Sequence, residues 1–131
     1  MPRFLLLFLL ASAGCRATVP TSAAHVESGV SVGDSFIRVV ARPELYDGKR
    51  VQLVGYMNLE FEGNALYPSE EAWLHGQTAD ALWIDVEGMT AQPPFPRGWV
   101  LIEATFNGER HGHFGLFAGT LEHVTRMAAS R

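Results

Sequence analysis

The sequence predicts a mainly β domain: five strands curling into a small barrel, with a short N-terminal helix and a short interstrand helix. Three observations carry this expectation. Apolar and polar residues alternate over two long stretches, 49–61 and 98–107, which is the period of a half-buried strand. Shorter apolar runs at 65–67, 81–86 and 114–126 supply three more strands between turn residues. Helical spacing is confined to a turn or two at 34–42 and 68–76, too little to cover the faces of a parallel α/β sheet.

Taken in order, Asp34 or Ser35 can cap the first helix, and Phe36, Val39 and Val40 then share one face. Pro43 ends it, because the residue before a proline avoids the helical region. PELYDGK is a turn sequence built on Asp47-Gly48. In KRVQLVGYMNLEF, Val51, Leu53, Gly55, Met57, Leu59 and Phe61 lie on one side, and Arg50, Gln52, Val54, Tyr56, Asn58 and Glu60 on the other. Gly55 in mid-strand implies a bulge or a sharp bend, as at a barrel corner. Glu62-Gly63-Asn64 turns the chain into the second strand, Ala65–Tyr67, which Pro68 cuts short. Ser69 caps a helical turn with Glu70 and Glu71 at its start and Gly76 as its stop. ALWIDV is the third strand, MTAQPPFPRG a loop, and GWVLIEATFN the fourth strand, with Val100, Ile102, Ala104 and Phe106 facing one way. FGLFAGTLEHVTR is the fifth, with Gly115 and Gly119 allowing a bend. The commonest five-stranded solution is the OB-like barrel, expected over residues 34–131. The longer helix before the first strand and the short one between strands depart from the standard OB arrangement.

The N-terminus carries a different message. MPRFLLLFLLASAGC places Arg3 before an unbroken apolar run, Phe4 to Leu10, followed by small residues, the order of a secretory signal peptide. The run falls short of the ~20 apolar residues that span a bilayer as a helix. Ser12-Ala13-Gly14-Cys15 resembles the lipobox of bacterial lipoproteins, with Ser12 where leucine is usual. The resemblance implies that residues 1–14 are a cleaved signal peptide and that Cys15 is the lipidation site. Two or three acyl chains, palmitate among them, would then anchor the protein to the membrane. Arg16, in place of an aspartate, implies by the same resemblance the periplasmic side of an outer membrane. The alternative is a plain secretory signal cut near Ala13 or Ala17, giving a secreted or periplasmic protein. Residues 15–33 are rich in Ser, Ala, Thr and Gly and read as a flexible tether.

Composition narrows the function classes. The 131 residues are 47% hydrophobic and carry 14 acidic against 10 basic side chains, a net charge of −4. Removal of residues 1–14 takes away only Arg3, leaving nine basic against fourteen acidic side chains, a net −5. The basic residues are scattered, so no nucleic-acid partner is expected. With Cys15 as the single cysteine, no intramolecular disulfide can form.

The stretches PELYDGKRVQLVGY, LEFEGNALY, ALWID, VLIEATF and GHFGLFAGTLEHVTR together resemble a group of small bacterial proteins of uncharacterised activity with an OB-like domain. The resemblance covers about residues 34–126. It implies a fold and no catalytic residue.

Three constellations could carry chemistry. His111-Gly112-His113, if extended, points two imidazoles to one side, ~6.5–7 Å apart by strand rise. Such a pair can bind zinc when further ligands join it, and His123, Glu122, Glu109 and Glu103 are the candidates. The competing reading is a polar turn between strands four and five, its histidines in solvent or packed on a tyrosine. Glu60 and Glu62, with Asn64, could form the acid–base pair of a small hydrolase or a hard-cation site, or could simply be the charged edge of a strand. Tyr56, Tyr67, Trp83 and Trp99 are candidates for a ligand-stacking face of the kind OB-like barrels use. Core packing is the alternative for them. The serines lack a nucleophile-elbow setting, and no glycine-rich phosphate loop is present. No cofactor is implied apart from zinc at the histidines. The reading that follows is an envelope lipoprotein acting as a binding or structural module, with an envelope glycan or protein as partner. A metal-binding envelope protein and a small hydrolase are the alternatives.

Overall fold

The two long alternating stretches form two long antiparallel strands. In the computed structural model, which describes residues 33–130, the elements run α1 (Phe36–Ala41), a 3-10 turn (Pro43–Leu45), β1 (Arg50–Asn58), β2 (Ala65–Tyr67), α2 (Glu70–Leu74), a second 3-10 turn (Thr78–Asp80), β3 (Leu82–Ile84), β4 (Arg97–Asn107), a third 3-10 turn (His113–Gly115) and β5 (Gly119–Ala129). The strands close into a barrel in the order β1-β2-β3-β5-β4, with β4 returning to β1. Every pairing is antiparallel except β3 with β5. The mainly β, five-stranded OB-like barrel with two short helices is therefore the fold. Residues 1–14, where a signal peptide is expected, Cys15, and all of the expected tether but Gly33 lie outside the described residues.

Alternation fills the barrel. Val51, Leu53 and Met57 of β1, Val100, Ile102, Ala104 and Phe106 of β4, and Leu121, Val124 and Met127 of β5 meet Leu66, Leu82 and Ile84 in one buried cluster. Phe36 and Val39 of α1 join it, so the helix seals the barrel with the face its spacing marks out. Ser35 stands at the N-cap without a side-chain cap bond. Pro43 opens the 3-10 turn that follows.

Gly55 sits in regular pairing with β4. The β1–β4 register runs unbroken through Gly55↔Val100, so there is no bulge at this point. What requires glycine is a close approach: a Cβ here would lie 2.7 Å from the Tyr67 carbonyl oxygen and 2.8 Å from Leu66 Cγ. The irregularity falls instead on β5, where the register against β4 shifts between Glu103 and Thr105. His123 sits in that stretch with a left-handed φ of 47°, and its carbonyl accepts a 2.8 Å hydrogen bond from Arg50.

The fifth strand also begins later than its apolar pattern implies. Gly112, Phe114 and Gly115 all have positive φ, which breaks the extended conformation before Gly119. Around α2, by contrast, the turn chemistry acts as the residues imply. Ser69 Oγ accepts the Ala72 N–H at 3.1 Å, and Gly76 ends the segment at φ 61°.

Replacing Gly55 with alanine forces a methyl group onto the β2 backbone. Gly55→Ala is expected to lower unfolding stability by about 1–3 kcal/mol, the range for overpacking a tight site, measured by urea titration.

Candidate functional site

The outer face of β4, β1, β2 and β3 carries the aromatic residues singled out in the sequence. Tyr56 pairs across strands with both Trp99 and Tyr67, and Ala65 pairs with Trp83. Trp99, Tyr56 and Tyr67 therefore form one row, with Trp83 nearby on the next strand. The middle of the row is covered. Tyr56 and Tyr67 are buried and pack with Ala65, Ala72, Ala81 and Phe117 in a second cluster, against which Trp73 and Trp83 lie partly buried. The Trp73 ring stands 5.5 Å from that of Tyr56, and the Arg97 guanidinium lies over Trp73 at 4.2 Å. The Tyr56 hydroxyl donates to Glu70 at 3.3 Å. Burial, helped by the Glu70 carboxylate, holds the Tyr56 phenol above its usual range. Burial and the charge of Glu60 do the same to Tyr67. Trp99 meets Tyr56 edge-on and keeps part of its surface in solvent.

The β4–β5 loop, residues 108–118, covers Trp83. Its start is fixed by backbone donors: the Gly108 N–H reaches Asp47 Oδ1 at 2.8 Å, and Glu109 and Arg110 N–H groups reach Asn107 Oδ1. The Arg110 guanidinium joins Glu122 and Asp85; those two bonds, Glu122's first, push its pKa further up. His111 Nδ1 lies 2.9 Å from the Phe117 carbonyl oxygen. Gly112 then passes so close to β3 that a Cβ would fall 2.5 Å from the Trp83 Cβ, with a left-handed φ of 62°. His113 stacks on Trp83, centroids 6.0 Å apart and planes 21° from parallel. Phe117 packs against the same indole at 5.2 Å.

This arrangement throws other side chains outward. Phe114, at φ 53°, tilts its ring over His113 at 4.1 Å yet stays 83% exposed, and Leu116 is 53% exposed. The β1–β2 loop, residues 59–64, answers it. Glu62 sits at φ 59°, Phe61 is 91% exposed, and Glu62 Oε2 lies 3.8 Å from His113 Nε2. That nitrogen has no accessible surface and no hydrogen-bond partner among the described residues. LEFEGN and GERHGHFG, distant in sequence, thus meet over Trp83.

The remaining sequence candidates separate. His111 faces a backbone carbonyl, His113 lies on Trp83, and His123 is exposed on β5. Among the described residues, no group of three or more His, Cys, Asp or Glu side chains could hold a metal ion. Glu122 is engaged by Asn107 and Arg110, and Glu103 by Gln52 and Arg126. Glu60 leans toward Arg97 at 3.8 Å while Glu62 leans toward His113, so the two carboxylates serve different partners. The sequence pattern did not single out Phe61, Phe114 or Leu116, because Phe61 fits the alternation of the first strand and the other two fall in the apolar run read as the fifth. The usable signal was local: Phe61 and Phe114 stand in EFEGN and HGHFG, where turn residues leave a large apolar side chain nothing to pack into.

No family model matches the chain, and no match was found among curated proteins or solved structures.

Two measurements check this geometry. Gly112→Ala combines a left-handed φ with a collision on Trp83. It should loosen the loop, raising proteolysis at residues 108–118 and costing about 1–3 kcal/mol. The tyrosines give a pH signature. Phenols in the unfolded chain ionise near pH ~10, whereas the native state holds the protons of Tyr56 and Tyr67 to higher pH. Above that point the unfolded chain binds fewer protons, so stability falls as pH rises. The urea midpoint should drop between about pH 9 and about pH 11, and Tyr67→Phe should reduce the drop.

Proposed function

We propose that this chain is a lipid-anchored protein of the cell envelope whose barrel is a binding module, with its seat where the β1–β2 and β4–β5 loops meet over Trp83. One observation carries the reading: Phe61 and Phe114 stand almost fully exposed on loops whose backbones are left-handed at Glu62 and Phe114. A non-glycine residue in that region costs about 1–3 kcal/mol and persists only where its surroundings hold it. Here the holding groups are Gly112, His113 and Phe117 against Trp83. Covering a phenylalanine removes enough apolar surface from water to favour association by about 1.5–3 kcal/mol, and a loop already fixed loses little entropy on binding.

The anchors are Phe61, Phe114 and Leu116, apolar to their tips. Anchors of that kind suit a protein surface better than a glycan, whose hydroxyls ask for polar partners beside each ring. Anchoring at Cys15 rests on the order Arg3, Phe4–Leu10, Ser12-Ala13-Gly14-Cys15, and Arg16 supports the periplasmic side of the outer membrane as its place. The net charge of −4 speaks against nucleic acid as the ligand.

The test joins both halves of the reading. In bacteria expressing the full chain, a palmitate analogue should label the protein and Cys15→Ser should abolish the label. A photo-crosslinking amino acid at position 61 or 114 should give a discrete protein adduct that the same group at position 45 does not. No label would sink the anchor, and equal crosslinking from all three positions would sink the seat.

A further inference from the structure

The two loops that carry the exposed phenylalanines also carry a one-sided charge. Glu60 and Glu62 flank Phe61, and both side chains are more than half exposed. The basic groups nearby are committed elsewhere. Arg97 lies over Trp73 and donates to Asn58 Oδ1 at 2.9 Å, while its nearest approach to Glu60 is 3.8 Å. Arg110 is neutralised by Asp85 and Glu122 together. Among the described residues, Glu62 faces only the His113 imidazole, at 3.8 Å, beyond hydrogen-bond reach. The seat is thus an apolar ledge bordered by carboxylates with unused acceptor capacity, on a chain whose net charge is already −4.

Building on the binding-module reading, we infer that the partner is a basic peptide segment of another protein, one that sets a lysine or arginine against Glu62 while an adjacent apolar side chain covers Phe114 and Phe61. The chemistry is complementary at both points. An ammonium or guanidinium can take the free lone pairs of Glu62 and lie against the exposed face of Phe114, an attraction of the cation–π kind. A partner carrying phosphates or carboxylates at the same place would meet Glu60 and Glu62 with like charge, which suppresses the wrong partner. Exposed charge pairs of this type are screened by salt, so the contact would weaken as ionic strength rises while its apolar part remains.

The probe is a fluorescein-labelled synthetic decapeptide of alternating lysine and phenylalanine, titrated against the purified full chain at low and high salt. A peptide of alternating glutamate and phenylalanine is the control. Expected are saturable binding of the lysine peptide only, weakened by salt, and a loss of about tenfold in Glu62→Gln, the scale of one charge contact. A similar loss is expected in Phe114→Ser, and none in Glu87→Gln, an exposed carboxylate outside these loops. Circular dichroism confirms that each variant is folded before titration. Equal binding of both peptides, equal loss in Glu87→Gln and Glu62→Gln, or no saturable binding of the lysine peptide would overturn the proposal. If Phe114→Ser abolishes the position-61 crosslink in cells while Glu62→Gln changes neither crosslink nor peptide affinity, the seat stands and the basic partner falls. Absence of an adduct from positions 61 and 114 in the otherwise unmutated chain removes the seat itself.

Discussion

The barrel has an apolar outside as well as an apolar inside, and the need to cover that outside shapes everything beyond the strands. Alternation normally gives a small barrel one dry face and one wet one. Here Tyr56, Tyr67 and Trp83 make the outer face of β1, β2 and β3 apolar. Left in water, that surface would oppose closure. Two pieces of chain fold over it. α2 lays Ala72 and Trp73 on the tyrosines, and the β4–β5 loop lays Gly112, His113 and Phe117 on the indole. The interstrand helix can be as short as Glu70–Leu74 because β2 and β3, the strands it bridges, are only three residues each.

On the other side of the barrel the outer face is wet and is held by polar ladders. Gln52 donates to Glu103, which also receives Arg126, so one carboxylate links neighbouring positions on β1, β4 and β5. Arg50 reaches across to Thr105, the His123 carbonyl and Thr125, tying down the irregular stretch of β5. Pairs of this exposure contribute modestly to stability. Their value lies in register: each side chain has a partner at one alignment only. The molecule is therefore two-sided, one flank fixed by hydrogen bonds in water and the other by ring packing.

Much of this was legible in the residues. Inside-out alternation in 49–61 and 98–107 marked β1 and β4, and Ser69 and Gly76 marked the limits of α2, because these signals act within a few residues of themselves. Pro-rich 89–98 read as a loop for the same reason, although its last two residues, Arg97 and Gly98, open β4. The seat was not legible, and the cause is physical. Phe61 keeps strand parity up to the residue where the backbone turns left-handed, Phe114 stands in an apolar run that reads as strand, and neither signal says anything about φ. The role of Gly112 depends on Trp83 of another strand, a contact that local spacing does not encode. Gly55 shows the same gap: the sequence marked a bulge or a bend there, and only the β2 carbonyl beside it shows that a side chain is excluded.

The parallel pairing of β5 with β3 has a consequence for the order in which the molecule comes together. β5 lies between β4 and β3, so until residues 119–129 arrive, both of those strands present bare hydrogen-bonding edges of the kind that template misassociation. β1 cannot settle early either, since its long partner β4 comes late in the chain. The nascent polypeptide thus holds few durable local contacts, which is the condition for slow folding. Closure of the barrel therefore waits for its final strand.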